Sequence, residues 1–336
     1  MSRYFRPIIY NESVFPPDAI FLRSSRLWFN SVKVFERDKT PVVINVADLP
    51  NDIKSKLSEK QSTILGAEKN PPLVMGVLNL SPDSFSDGFQ VHRHNDLLKR
   101  INRMINDGVD IIDIGGESTR PGFVTISPDE EINRIGEALN IIRKTNPNML
   151  VSIDTRKALV AEYALNRGAR IFNDVSSLNF DVDSMEVAKK FDAYVCLMHN
   201  SGSGEDLHKK IIGKDFLLDI FDYLRERVEF VVSRGISRSR IIIDPGIGFG
   251  KTGEQNLTIL ANISLFHTLG CPILVGVSRK KFIGNITGED NPVDRLIGSV
   301  LMAGELIKQG VQVVRVHDIR ETRQMIKILD KLYIMD

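Results

Sequence analysis

Eight apolar, β-prone runs in this chain each end on one polar residue, and those endings are where chemistry can be sought. The clearest is Ile241-Ile-Ile-Asp244-Pro-Gly-Ile-Gly-Phe-Gly-Lys251. Three β-formers run into a carboxylate, and the chain then turns through glycines and a proline, as a buried parallel strand does when it ends beside a ligand. Taken alone, Asp244 reads equally well as a turn cap. Similar endings at Asn79, Asp113, Asp154, Asn173, His199, Ser278 and His317 favour a shared site.

The residue types suggest what such a site would hold. Val313-Val-Arg315-Val-His317 places Arg315 and His317 on one face of a strand, since side chains alternate with period two. An arginine inside a sheet needs an anion: either a neighbouring carboxylate in a structural pair, or a phosphate or diphosphate that the planar guanidinium clamps. Asn79 can join it as a neutral donor or as a magnesium ligand. Asp154, Asn173, Asp244 and Lys280 offer two carboxylates, an amide and an amine, a set that matches the amidine-like edge of an aminopyrimidinone better than an apolar ligand. A glycosidase-type carboxylate pair competes with this reading, but nothing else in the chain suggests sugar chemistry. Two loops rich in Gly, Ser, Asp and Pro follow the first two strand candidates, Asn79-Leu-Ser-Pro-Asp-Ser-Phe-Ser-Asp-Gly88 and Gly115-Gly-Glu-Ser-Thr-Arg-Pro-Gly122. They read either as solvated turns or as covers for a reaction whose intermediate water would destroy.

Other attractions are weaker. Gly246-Ile-Gly-Phe-Gly-Lys-Thr252 fails the phosphate-loop spacing, because Pro245 stands where the first glycine belongs. His92, His94 and His208 lie in polar stretches and read as surface. His199 reads equally as a satisfied structural histidine and as a site residue.

The elements that must position these residues follow from periodicity. Strand candidates at about 73–79, 110–115, 149–154, 170–174, 193–198, 240–244, 272–277 and 312–317 alternate with helical stretches at about 95–107, 128–144, 157–167, 183–190, 213–234, 254–269, 292–309 and 319–331. Eight strand–helix units in about 260 residues predict an α/β fold of the closed (β/α)8 TIM-barrel type, with the polar endings converging on the rim formed by strand C-termini. Residues 1–70 lack this alternation and read as an N-terminal extension of short strands and a helix. Glu68-Lys-Asn-Pro-Pro72 is the expected connector to a catalytic barrel of residues 71–336.

Composition narrows the partners. Across 336 residues the formal net charge is +1 with 26% charged residues, so no whole-chain field draws in nucleic acid or an anionic membrane surface, and any anion site must be local. Cys196 and Cys271 read as buried thiols, and no zinc-type spacing occurs. The N-terminal stretch has no apolar h-region, and no apolar run approaches the roughly 20 residues that span a bilayer. A cytoplasmic protein is the expectation.

Taken together, these motifs make the chain from about Pro71 to Leu332 resemble dihydropteroate synthase. The resemblance is carried by Gly-Val-Leu-Asn79-Leu-Ser-Pro-Asp-Ser-Phe-Ser-Asp-Gly, Asp-Ile-Gly-Gly-Glu-Ser-Thr-Arg-Pro-Gly, Ser-Ile-Asp154-Thr, Asn173-Asp-Val-Ser, the Asp244 stretch, Gly-Val-Ser-Arg-Lys280 and Arg315-Val-His317-Asp. It implies a TIM barrel that joins 6-hydroxymethyl-7,8-dihydropterin diphosphate to p-aminobenzoate and releases diphosphate. By motif position, Asp154, Asn173, Asp244 and Lys280 would hold the pterin, with Met198 among the substrate-binding residues. Asn79, Arg315 and His317 would hold diphosphate and Mg2+. Phe85, Thr119, Pro121, Phe249 and Ser278 would shape the p-aminobenzoate pocket, and the two loops would bring in Asp87 and Arg120. Family members are commonly homodimers. Met198-His-Asn-Ser-Gly-Ser-Gly departs from the Gly-x-Pro that usually follows Met-His, and residues 1–70 have no counterpart in the minimal enzyme. A pterin-dependent methyltransferase and a catalytically silent pterin-binding homologue are the alternatives.

Overall fold

The computed structural model describes residues 3–23, 25–59, 65–67, 72–80, 90–119, 122–202, 207–211 and 213–332. Phe85, Asp87, Arg120 and Pro121 lie outside the described residues.

Eight parallel strands form the centre: β6 (Leu73–Asn79), β7 (Ile111–Gly115), β8 (Leu150–Asp154), β9 (Ile171–Asp174), β10 (Tyr194–Met198), β11 (Ile241–Asp244), β12 (Leu274–Val275) and β13 (Val313–Val316). They pair in the spatial order β11-β10-β9-β8-β7-β6-β13-β12. A parallel bridge between Ile243 and Ile273, with Ile243 N donating to Pro272 O at 2.9 Å, brings the two ends together. The helices α2 (Gln90–Asn106), α3 (Pro128–Thr145), α4 (Ala158–Asn166), α5 (Ser184–Lys190), α6 (Phe216–Ser233), α7 (Gly253–Ala261), α8 (Lys281–Thr287), α9 (Leu296–Lys308) and α10 (Ile319–Leu332) alternate with the strands. This is the predicted (β/α)8 barrel. Outward strand residues such as Ile112, Ile153, Phe172, Val195, Ile243 and Val314 pack with the helices in one large core. Local chemistry sets several helix starts. Ser127 caps α3 ahead of Pro128 and three acidic residues, and Thr252 with Gln255 forms a capping box on α7.

Inside the barrel, Met75, Ile111, Ile171, Cys196, Ile242, Leu274 and Val313 fill one layer together with Leu65 and Ala67, which precede β6. Period two carries four of these strands from an apolar residue to a polar one nearer the C-terminus: Ile111 to Asp113, Ile171 to Asn173, Ile242 to Asp244, Val313 to Arg315. The barrel therefore has an apolar floor and a polar mouth.

The N-terminal segment forms a three-stranded antiparallel sheet, β1 (Tyr4–Pro7), β4 (Ser31–Phe35) and β5 (Val42–Asn45), a short pair of β2 (Ile20–Phe21) and β3 (Trp28–Phe29), and helix α1 (Asn51–Ser58). It has its own apolar cluster, including Phe5, Leu22, Phe29, Val32, Val34 and Leu57. Polar contacts tie it to the barrel. Tyr4 donates to Asp222 at 2.8 Å, Arg6 to Asn262 at 2.7 Å, and Ser264 Oγ to Pro7 O at 2.9 Å. Among the described residues, no helix is long and apolar enough to cross a membrane.

Candidate active site

At the mouth, Arg315 reaches from β13 across the barrel. Its Nε donates to Asp113 Oδ2 at 2.7 Å and its Nη2 to Asp154 Oδ2 at 2.7 Å. Burial disfavours the guanidinium charge, yet the carboxylates of Asp113 and Asp154 more than offset it and hold Arg315 above its ordinary pKa. The anion that Arg315 requires is thus present within the chain, on β7 and β8. Asn173 joins them, donating from Nδ2 to both Asp113 oxygens at 3.3 Å.

Asp154 is the unbalanced member. Oδ2 is occupied by Arg315, whereas Oδ1 is buried with no hydrogen-bond partner among the described residues. Burial pushes its carboxyl up, to about 7, against the pull of Arg315. A buried acceptor left open in this way is unfavourable by about 1–3 kcal/mol unless a ligand donor meets it. On β11, Asp244 accepts from Gly246 N at 2.7 Å, so it does cap the turn, and burial raises its pKa. Lys280 follows β12 and donates to Ile247 O. Burial lowers its amine to about 8, opposed by Asp244. Asp154, Asn173, Asp244 and Lys280, grouped from the sequence, therefore line one mouth.

Ser278 and His317 meet beside it: Ser278 Oγ lies 3.1 Å from His317 Nδ1 and accepts from His317 N at 3.2 Å. His317 stands just past the end of β13 and is exposed. Between them Arg279, at φ 60°, pairs with Asp318 at 2.5 Å and 3.1 Å, which locks the turn carrying Ser278 and Lys280 to the end of β13. Asn79 ends β6. A β-carbon at Gly115 would stand 3.5 Å from its Oδ1 and 3.6 Å from Asp154 Cβ, so the amide oxygen borders the same mouth. Among the described residues, no group of three His, Cys, Asp or Glu converges. One neutral oxygen fits Mg2+, an ion that keeps several waters and takes substrate phosphates rather than a full protein cage.

Thr119, Phe249 and Met198 sit together on the side of β7, β10 and β11. Met198 is buried with Val175 and Leu207, and Phe123 and Phe249 pack against this cluster. Lys280 Nζ lies 5.1 Å from the Phe249 ring centroid. His208 corrects the reading from sequence: it is no bystander on the surface. Its ring stacks on Phe249 at 5.0 Å and 8°, and its Nε2 stands 2.9 Å from Thr119 O.

Two features support the mouth from behind. His199 is structural: its ring packs edge-on against Tyr223, and its Nδ1 accepts from Lys251 Nζ at 3.0 Å. Burial, then the Lys251 charge, lowers His199 to about 3, so it is neutral. Lys251 also donates to Gly246 O at 2.8 Å and Phe249 O at 3.0 Å. Burial draws its pKa to about 7, but the acceptors around Nζ, with His199 O at 3.4 Å as a fourth, call for all three ammonium hydrogens. The ammonium thereby fixes the Asp244 turn from inside. That turn requires glycine at 246, where φ is +69° and a β-carbon would meet His199 O at 1.9 Å.

The second feature is a buried charge network that sequence reading missed. Glu117 accepts from Lys157 Nζ at 2.7 Å, Arg156 Nε at 3.2 Å and Ile126 N at 2.9 Å, while Lys157 also reaches Glu131 at 2.6 Å. Arg156 lies over Phe180 and Phe123 at 4.1 Å and 5.0 Å. The network joins both ends of the loop that follows β7 to the turn that follows Asp154.

Both architecture and mouth define a class: a TIM-barrel enzyme that receives a polar heterocycle at the C-terminal rim. Residues 75–317 match the pterin binding enzyme family. A dihydropteroate synthase of Clostridium beijerinckii is 40% identical over 260 residues, covering 76% of this chain and 93% of that protein. Among solved structures, Xanthomonas albilineans dihydropteroate synthase with 4-aminobenzoic acid superposes with a TM-score of 0.73 at 33% identity, covering 80% of this chain and 94% of that one. Yersinia pestis dihydropteroate synthase with a sulfonamide drug gives 0.72 at 37%, covering 79% and 95%. The chain belongs to the dihydropteroate synthase family of pterin-binding enzymes.

Proposed function

We propose that this enzyme condenses 6-hydroxymethyl-7,8-dihydropterin diphosphate with p-aminobenzoate, giving 7,8-dihydropteroate and diphosphate. The observation that carries the reading is the open Oδ1 of Asp154, a buried acceptor with no partner among the described residues, in a mouth that also offers Asn173, Asp244 and Lys280. An N–H of the pterin edge supplies the missing donor.

The chemistry asks little of any one side chain. The bond between the pterin methylene carbon and the diphosphate oxygen breaks, the aniline nitrogen bonds to that carbon, and the nitrogen releases its proton. The electron-rich pterin stabilises a cationic carbon, so the protein must bind the leaving group, orient both partners and exclude water. His317, exposed beside Ser278, and Arg315 face the leaving group, with Asn79 on the same rim. Bound Mg2+, held by Asn79 and by diphosphate oxygens, would add charge to the leaving group. Phe249, Thr119 and Ser278 hold the arylamine ring, Met198 backs that wall, and Phe85, Asp87, Arg120 and Pro121 belong to the same reading by motif position. Residues 1–70 act as an appended unit on the catalytic barrel of residues 71–336.

A homodimer and a cytoplasmic location complete the proposal. Exposed Ile297 and Leu301 on α9, and Ile328 and Leu332 on α10, offer an apolar outer face for a second copy. The two buried free cysteines suit a reducing compartment. The test is a coupled diphosphate-release assay. Release that depends on both the pterin diphosphate and p-aminobenzoate is expected. Binding without release would indicate a silent homologue, and methyl transfer to or from a pterin would indicate the other branch of the family.

A further inference from the structure

The loop after β10 departs from the family's usual sequence, and the structure shows what it does here. Leu207 is buried at 1% exposure beside Val175 and Met198, which anchors the loop at the mouth and presents the next residue inward. That residue, His208, lays its imidazole parallel to the Phe249 ring and brings Nε2 to 2.9 Å from Thr119 O. A carbonyl oxygen can only accept, so Nε2 carries the proton and donates. One side chain therefore joins three loops, those following β7, β10 and β11, by an aromatic stack and a hydrogen bond. Both residues that it joins belong to the proposed arylamine pocket.

We infer that His208 is a positioning residue that sets the width of the arylamine pocket and so its selectivity. The inference rests on the function proposed above. Phe249 offers a face to the arylamine ring only if its own ring is held at a fixed angle, and the parallel imidazole supplies that restraint. The resemblance places Thr119 itself against the same ring, and the hydrogen bond to its carbonyl fixes its distance from Phe249. Loss of both restraints widens the pocket without touching Asp154, Asn173 or Asp244, while Lys280, which lies over the Phe249 ring, keeps its own hydrogen bond to Ile247 O. The consequence is a selective one: p-aminobenzoate binds less well, whereas the pterin diphosphate binds as before.

Steady-state diphosphate release tests this with three variants. His208→Ala should raise KM for p-aminobenzoate by roughly tenfold, the combined effect of one neutral hydrogen bond and one aromatic contact, with KM for the pterin diphosphate within about twofold of wild type. His208→Phe keeps the stack and His208→Gln keeps a donor, so each should recover part of the loss. Inhibition by a sulfonamide, which is bulkier than p-aminobenzoate, should weaken less than p-aminobenzoate binding does in His208→Ala. Wild-type-like KM for p-aminobenzoate in an active His208→Ala enzyme would overturn the inference. So would equal rises in both KM values, or a fall in kcat and thermal midpoint with no change in KM, because these mark a residue that only supports the fold. Failure of wild-type enzyme to release diphosphate would instead refute the function, and the inference with it.

Discussion

Asp154→Asn separates a ligand-binding carboxylate from a structural one. In the wild-type protein Oδ2 accepts from Arg315 and Oδ1 is buried without a partner among the described residues. The asparagine keeps the shape but removes the charge, so a pterin N–H that bonded a carboxylate would meet a neutral oxygen or, if the amide turns over, another donor. Hydrogen bonds to charged groups contribute about 1.5–3 kcal/mol, which corresponds to a roughly 10- to 150-fold rise in Kd. The fold should tolerate the change. Arg315 keeps its 2.7 Å bond to Asp113, and the unfavourable burial that raises the Asp154 pKa is relieved. Calorimetric titration with the pterin diphosphate, alongside urea unfolding, reads both effects. Unchanged affinity would refute the assignment of Asp154 to the pterin. A large loss of stability with affinity retained would show that the carboxylate serves Arg315 alone.

The remaining predictions follow from the same geometry. Arg315→Ala leaves Asp113 and Asp154 buried without their cation and should destabilise the protein by about 3–5 kcal/mol in urea unfolding. Adding Asp113→Asn should recover part of that loss, and strict additivity would show that the pair is not coupled. Glu117→Ala removes the shared partner of Arg156 and Lys157, whose side chains are 2% and 6% exposed, and should cost a similar amount while raising KM for p-aminobenzoate. An unchanged thermal midpoint would show the network to be dispensable. His267 is buried, with Nε2 donating to Gln309 O at 2.9 Å, and burial lowers it to about 3. Its unfolded pKa is higher, so below pH 6.5 the unfolded chain takes up the proton first and stability falls with pH towards 3. The loss is about 1.6 kcal/mol between pH 6.5 and pH 5. His267→Gln, which keeps a donor for Gln309, should lack that slope in urea titrations at the two pH values.

Period two explains why so much was legible in the sequence. Arg315 and Asp244 each lie two residues beyond an apolar residue of the barrel floor, so the pattern that identified a strand also assigned its polar ending to the inner face. The eight units and their order followed from the same alternation. What stayed hidden were pairings between distant segments. Nothing in Val-Arg-Val-His says that the anion beside Arg315 is Asp113, 202 residues earlier. Glu117 and Arg156 are 39 residues apart in different loops, and each alone reads as a solvated charge. His208 reads as surface in the sequence because its neighbours are polar. Leu207, the single apolar residue in that stretch, was the available signal. Asp244 shows the limit of choosing between readings, since it both caps its turn and faces the mouth.

The central claim is that this mouth joins the arylamine nitrogen to the pterin carbon as diphosphate leaves. Mass spectrometry of a turnover with 15N-labelled p-aminobenzoate and the pterin diphosphate tests that bond directly. The label should appear in 7,8-dihydropteroate, with one diphosphate released for each labelled molecule formed. Diphosphate release accompanied only by unlabelled hydroxymethylpterin, the product of attack by water, would contradict the account.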